Sequence, residues 1–420
     1  MDSAELTVKK LWNRDFSLLI FGQTVSIFGN MILSFALPLY ILDISGSAAL
    51  FGLVLSLPYI SLIIASPVGG ILADRLRKQR IMFWLDVTTT VIIVLYIALS
   101  GLFTVIVPII IVKLMALNAI QGMYMPAVQS SVPVLVSADK LVPANAVVGM
   151  VNTLSSMAGM AIAGILYASF GLFPILAVSG ICFAVTAVMD LLIRIPYKKQ
   201  ESSGNLVQII KSDMSQSAKF MVKEKPIIAK IAVIAFFLQV TLMAMIIVGI
   251  PVLIVQNLNM GMKLVGVSQS IMMAGGILGS IITGMLGARL TIKKMPFLII
   301  LGSVAIMPIG LIFLFETPVF WAFTVITAAS ALSACILQMA TIQFFAFIQG
   351  ETPIEFTGKV MSLILILPFL ASALGHLIYG VLFEQFEAAP WIVVFVTVFM
   401  SCMIAVYSGK HFRQASFSAP

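Results

Sequence analysis

The chain has 420 residues, 61% of them hydrophobic and only 10% charged, with 24 Lys+Arg against 16 Asp+Glu and a net charge of +8. Soluble domains carry about a quarter charged residues, so this composition excludes a soluble enzyme or binding module. An outer-membrane barrel is excluded too, because it would show short alternating segments instead of long apolar runs. The mean hydropathy is +1.15.

Apolar runs of about 18 residues or more read as membrane spans. About twelve are predicted, at 16–42, 48–73, 81–100, 104–128, 143–169, 172–194, 227–256, 264–287, 295–315, 318–348, 359–383 and 389–408. The N-terminus lacks a signal-peptide pattern, so the first span is expected to be retained. The expected fold is an all-α membrane protein of two pseudo-symmetric six-helix bundles.

Charge placement orients the spans. Of the 24 Lys+Arg, Lys263 falls in a predicted outer loop and Lys113 inside a span, and the others lie in or beside predicted inner segments. The outer side carries Asp43, Glu316, Glu384 and Glu387. Basic residues collect on the cytoplasmic side, so both termini are expected in the cytoplasm and no nucleic-acid partner is expected.

Residues 195–226 form the one polar break. Pro196 ends a helix and residues 197–205 read as a linker. Leu206, Val207, Ile209, Ile210, Met214, Phe220 and Met221, interspersed with Lys211, Lys219 and Lys223, predict an amphipathic helix along the inner leaflet. The expected domains are 1–195, a linker at 196–226, and 227–420.

The two halves are related. A shift of 214 residues places Leu50, Gly52 and Ser56 on Leu264, Gly266 and Ser270, and Gly70, Leu72, Arg75 and Leu76 on Gly284, Leu286, Arg289 and Leu290. Parallel six-span repeats are a transporter arrangement, with substrate held between the halves.

The basic stretch from Gly69 to Arg80 lies between the second and third spans. Gly70, Asp74, Arg75, Arg77, Lys78 and Arg80 fill a pattern of Gly, three residues, Asp-Arg and a basic cluster. It resembles the cytoplasmic loop between helices 2 and 3 of the major facilitator superfamily, with Leu76 or Arg77 at the family's second glycine. The resemblance implies that Asp74 helps lock the two halves together when the site faces outward. The second repeat keeps Arg289 but has Ala288 in place of the acid. The plainer reading of the loop is a turn with charge anchors.

Lys113 lies about nine residues into the fourth span, some 13 Å deep at 1.5 Å per residue. An intramembrane cation is a functional-site candidate by default. The superfamily's helix-4 pattern is Arg-x-x-Gln-Gly, whose Arg is tied to proton coupling. Here Asn118-Ala119-Ile120-Gln121-Gly122 keeps the Gln-Gly and replaces the Arg with Asn118. Two readings of Lys113 stay open: it attracts anionic substrate groups or pairs with Asp43, or it snorkels outward.

Asp86 is expected to pair with the basic loop, with a substrate or coupling role as the alternative. Asp190 sits four residues before Arg194, which predicts a helix-face ion pair. Asp43 reads as an outer-end cap. His376, the only histidine in a span, has the titration range of a proton carrier; otherwise it is a hydrogen-bonded core residue.

Candidates for lining a substrate cavity are neutral polar or bulky apolar. Gln23 and Asn30 share a face of the first span, Gln121 belongs to the helix-4 motif, and Gln239, Gln338 and Gln343 lie in spans seven and ten. Phe35, Tyr124, Met243 and Phe345 supply apolar surface. With 25 Met and 29 Phe, such a cavity suits bulky greasy molecules, although any membrane bundle has this composition. Gly159 and Gly164 in span five, and Gly275 and Gly279 in span eight, allow close helix packing. The family's exporters pack a glycine-rich helix 5 against helix 8, and this segment resembles that arrangement loosely.

Cys182, Cys335 and Cys402 lie in apolar runs without CxxC spacing and are expected to be free thiols. No Walker loop, metal-ligand cluster or nucleophilic triad is evident. Leu37-Pro38-Leu39-Tyr40, Gly46-Ser47-Ala48, Pro126-Ala127, Val132-Pro133 and Asn145 resemble the superfamily branch of bacterial macrolide-efflux and siderophore-export proteins. That branch implies a proton-driven exporter of amphipathic small molecules in the bacterial cytoplasmic membrane. It is expected to be a monomer with no cofactor beyond the proton gradient. A lipid or lysophospholipid flippase, or a siderophore exporter, is the alternative.

Overall fold

In lipid every backbone N–H and C=O must find a partner within its own segment, so long apolar runs fold as helices. The computed structural model describes residues 11–99, 106–137, 140–196, 215–216, 219–286, 292–315, 317–352 and 354–414. Twelve helices within these residues are long and apolar enough to cross a membrane. They are α1 (Arg14–Ser45), α2 (Ala48–Arg75), α3 (Lys78–Leu99), α4 (Ile106–Leu135), α5 (Leu141–Phe170) and α6 (Leu172–Leu192). Next come α7 (Pro226–Asn257), α8 (Met262–Leu286) and α9 (Ile292–Leu314). The last three are α10 (Val319–Glu351), α11 (Ile354–Gln385) and α12 (Pro390–Gln414). Pro38, Pro126, Pro133, Pro251 and Pro368 lie inside helices, which membrane helices tolerate where neighbours satisfy the freed carbonyls. Two π-helical turns interrupt α7, at Gln239–Met243 and Leu253–Asn257. The first falls on two of the expected cavity residues.

The chain divides into two compact units. One comprises Met1–Leu37 and Ser61–Ser203; the other comprises Pro38–Ile60 and Gly204–Pro420. The end of α1 and the first half of α2 thus belong with the C-terminal helices.

In the first unit α3 packs on α6 and α4, around a core that includes Phe16, Leu19, Met82, Ala127 and Val128. Side chains at one end tie segments together. Lys78 Nζ donates to the Ser130 carbonyl at 2.6 Å, and Asn13 Nδ2 to the Leu135 carbonyl at 2.8 Å. The Arg194 and Ile195 amides donate to Asp15 Oδ1 and Gln79 Oε1 at 3.0 and 3.1 Å. Gly159 of α5 is pressed against Phe28 and Met31 of α1.

In the second unit α8 and α10 are the most intimately packed pair. Gly275 and Gly279 lie against the backbone of Ala331 and Cys335, where a Cβ would come within 2.9 Å of either carbonyl carbon. The tight contacts of Gly159, Gly275 and Gly279 therefore lie within each unit. Phe220 and Met221, at the end of the stretch expected to form an amphipathic helix, lie within the described residues. A π turn, Phe220–Glu224, buries both side chains in the core with Ile231, Phe344 and Phe412. Most of the remaining linker lies outside the described residues, as do Gly287–Leu290 with Arg289, Glu316 and the side chain of Asp74.

Candidate functional site

The polar groups inside the first unit gather on α3, α4 and α6. Asp86 and Asp190 are each 1% exposed. Neither Oδ2 receives a hydrogen bond from an N–H or O–H group. This corrects two expectations. Among the described residues Asp86 forms no ion pair with the basic loop, and Asp190 forms none with Arg194. The reason is local: α6 stops at Leu192 and Ile193 is extended at φ −76, ψ 136, so Arg194 is not one helical turn beyond Asp190.

Tyr124 of α4 is buried near Asp86. Asn30, Asp86, Thr89, Gln121 and Tyr124 share the wall of a small cavity with Phe183. The Asn30 amide oxygen accepts a bond from Ser34 at 3.4 Å. Gln23 is buried with its Oε1 unpartnered, so the two amides do not satisfy each other. Asn118 turns its amide back to the Leu114 carbonyl of its own helix at 3.0 Å.

Lys113 is 4% exposed, and its Nζ lies 3.9 Å from the centre of the Tyr96 ring on α3. Its Nζ makes no hydrogen bond. A cation over an aromatic face is held by the ring quadrupole, so this lysine is bound within its unit and is not a snorkelling one. Tyr96 carried no signal in the sequence, because it is on a different helix.

The second unit holds an apolar cavity of about 120 Å³. Gln239, Met243 and Phe345, three of the expected residues, bound it together with Thr341, Phe344 and Leu367. Gln239 Nε2 donates to Ser372 Oγ of α11 at 3.0 Å. Gln338 and Gln343 are half-buried on α10 and are not on this wall. Phe35 is half-buried on α1.

The first half of α2 is fastened to α11 within this unit. The Ala49 amide donates to Glu384 Oε2 at 2.8 Å, and the Ser47 hydroxyl donates to the same carboxylate. Glu384 thereby caps the α2 N-terminus, where an acid is favoured, while Asp43 is exposed. Gln256 of α7 donates to the Gly46 carbonyl at 2.9 Å. Further along, Ser56 donates to the Ala373 carbonyl. His376 is 1% exposed, sits 5.5 Å from the Tyr59 ring, and has neither ring nitrogen in hydrogen-bonding geometry.

In the basic loop Arg77 and Arg80 are exposed and Arg75 is half-buried. The three cysteines are free thiols. Among the described residues no cluster of three or more His, Cys, Asp or Glu could hold a metal ion.

A family model for the Major Facilitator Superfamily matches residues 19–376. Macrolide efflux protein A of Streptococcus pyogenes is 21% identical over 406 residues, covering 94% of this chain and 95% of that protein. The crystal structure of the nucleoside transporter NupG has a TM-score of 0.72 at 12% identity and covers 97% of this chain and 100% of that one. A bacterial homologue of the human lysosomal transporter Spinster has a TM-score of 0.73 at 12% identity, covering 96% and 98%. This chain belongs to the Major Facilitator Superfamily and is a multi-pass membrane transporter, not an enzyme.

Proposed function

We propose that the protein is a secondary exporter of hydrophobic or amphipathic small molecules, working by alternating access and driven by proton antiport. The cavity of the second unit carries this reading. Its wall is Ile, Leu, Met and Phe, with Gln239 and Thr341 as the polar side chains. Such a surface selects on size and apolarity and uses few directional contacts. The similarity to a macrolide efflux protein agrees with a large amphipathic substrate.

Alternating access requires contacts that can be made and broken as units. The Glu384 cap on α2 and the Gln256 bond to Gly46 are of that kind, being few, polar and clustered at one end. The positive-inside rule places that end outside, both termini in the cytoplasm and the basic loop on the cytoplasmic face, where Asp74 and Arg75 would act as the opposing latch.

The test is accumulation of a macrolide and of a lipophilic dye in inside-out vesicles, with and without an imposed proton gradient, against Asp74→Asn. Gradient-driven accumulation lost in the variant supports the reading. If folded protein moves none of these compounds but flips labelled lysophospholipid, the substrate class is lipid and the drug-export reading falls.

A further inference from the structure

We propose that a groove between α7, α11 and α12 is a binding site for one acyl chain of a membrane phospholipid. It is a second cavity of the second unit, distinct from the one bounded by Gln239 and Phe345.

The groove begins where α7 and α11 stop touching. Gly375 brings α11 onto α7, where a Cβ would come within 2.8 Å of the Val240 carbonyl oxygen and 2.5 Å of the Ala244 Cβ. Beyond that contact α11 runs on to Gln385 and α12 returns from Pro390, and between them lies a cavity of about 320 Å³. That volume falls in the range of small-molecule sites, about 300–1,000 Å³. Its wall extends from Ile378 on α11 to Phe386 just past the helix end, and from Ile392 to Met400 on α12. Either stretch is about 12 Å long at helical rise. Val240 and Thr241, from the first π turn of α7, form the third side.

The wall offers water nothing to bind. Its polar side chains are Thr241, Tyr379 and Thr397, all buried. Thr241 donates to the Phe237 carbonyl at 2.8 Å and Thr397 to the Val393 carbonyl at 2.7 Å. The Tyr379 hydroxyl lies 2.7 Å from Thr397 Oγ1, and it is the donor because Thr397 has already given its hydrogen to Val393. A buried water needs two to four polar partners, whereas an apolar cavity stays dry and takes apolar molecules. Left empty, the lining forfeits its dispersion contacts. The occupant that fits is therefore a hydrocarbon.

The rim decides which hydrocarbon. Ile378, Val396 and Met400 are 45%, 48% and 48% exposed, and they continue an exposed apolar face that includes Leu377, Phe399 and Met403. On helices that cross the membrane such a face is covered by the bilayer, so the groove is continuous with the lipid interface. One end lies at the turn between α11 and α12, and the other stops near the middle of α12. Its length of about 12 Å compares with about 15 Å for half of the hydrocarbon core. This is the path of one acyl chain in one leaflet, parallel to the helices, with its headgroup at the turn.

Photolabelling of the intact protein tests the site. Full-length protein is reconstituted in phosphatidylcholine vesicles that carry a trace of phosphatidylcholine with a diazirine in one acyl chain. After irradiation, adducts are mapped by mass spectrometry. Met400 and Met403 lie on one helix and are 48% and 56% exposed, but Met400 lines the groove and Met403 does not. Labelling follows occupancy, so adducts at Met400 should exceed those at Met403 by about fivefold or more. Equal labelling would mean surface lipid only and overturns the proposal.

Val396→Trp fills the groove from its exposed rim and should cut Met400 labelling by about fivefold or more, with Met403 unchanged. If the tryptophan variant fails to fold, Val396→Leu is the smaller filler and should cut it by about twofold. Unchanged Met400 labelling in a folded variant overturns the proposal. Displacement of the Met400 adduct by a lipophilic dye would make the groove a dye site, and the lipid assignment would fall. None of these outcomes depends on drug export, which the vesicle accumulation assay decides separately.

Discussion

Gly380 of α11 lies directly against Gly52 of α2: a Cβ on Gly52 would come within 2.8 Å of the Gly380 Cα, and one on Gly380 within 2.8 Å of the Ala48 carbonyl oxygen. Backbone meets backbone, so neither position can take a side chain unless the helices part. Gly52→Ala should therefore destabilise the α2–α11 contact by about 1–3 kcal/mol, the usual cost of overpacking. Thermal unfolding in detergent measures the loss. A cysteine placed at Ser56 in the same variant should label faster with a membrane-permeant maleimide than in the Gly52 background. Unchanged labelling would mean that the contact re-forms around the added methyl.

Gly279 and Gly276 make a matched comparison on one helix. A Cβ at Gly279 meets the backbone of Cys335, whereas one at Gly276 meets nothing within 4 Å. Gly279→Ala is expected to cost about 1–3 kcal/mol, while Gly276→Ala should be neutral or stabilising by up to about 1 kcal/mol through its better helix propensity. The yield of folded protein after detergent extraction separates them; equal yields would remove the close α8–α10 approach as the cause.

Lys113 over Tyr96 predicts energetic coupling between the two side chains. In a double-mutant cycle of Lys113→Met and Tyr96→Leu, measured by detergent-induced unfolding, a desolvated cation–π pair should give about 1–2 kcal/mol of coupling. Strict additivity would show that Lys113 is held by something other than the ring.

The cavity wall of the second unit predicts a division of labour in transport. Phe345→Ala removes apolar contact worth about 2 kcal/mol, so half-saturation should rise about 30-fold for every substrate that uses the cavity. Gln239→Leu loses a hydrogen bond worth about 1 kcal/mol and should raise it about fivefold, only for substrates with a matching polar group. Gln338→Ala, off the wall, should change little. A larger effect at Gln338 than at Phe345 would move the site elsewhere.

Lys225 and Glu351 form an ion pair at 2.8 Å with unequal burial, the side chains being 36% and 6% exposed. Removing the lysine takes a charged partner from a buried carboxylate, whereas removing the acid leaves a lysine that can reach water. Lys225→Met should therefore cost more than Glu351→Gln, about 2 kcal/mol against less than about 1, after discounting for the exposed partner. Denaturation of the two variants side by side decides it, and the reverse order would contradict the burial asymmetry.

Some of this was legible before any coordinates. The twelve spans follow from apolar runs because lipid leaves a backbone no partner outside its own helix, a constraint that acts locally along the chain. The same locality made the Gly70–Arg80 turn and the internal repeat visible. It also singled out Gln239, Met243 and Phe345, but by the same signal Gln338 and Gln343, which are not on the wall that the first three share.

Side-chain partners across helices were not legible. Asp190 with Arg194 four residues later looked like a helical ion pair, yet Ile193 leaves the helix. Gln338 and Gln343 share composition with Gln239 but differ in where their helix turns them. Tyr96 under Lys113, Ser372 on Gln239 and Glu384 on the start of α2 all come from segments distant in the chain. The sequence by itself determined which segments enter the membrane and which charges they carry. Only the tertiary structure decided which buried groups meet, because helix rotation and packing are set by many weak contacts between segments that no local pattern records.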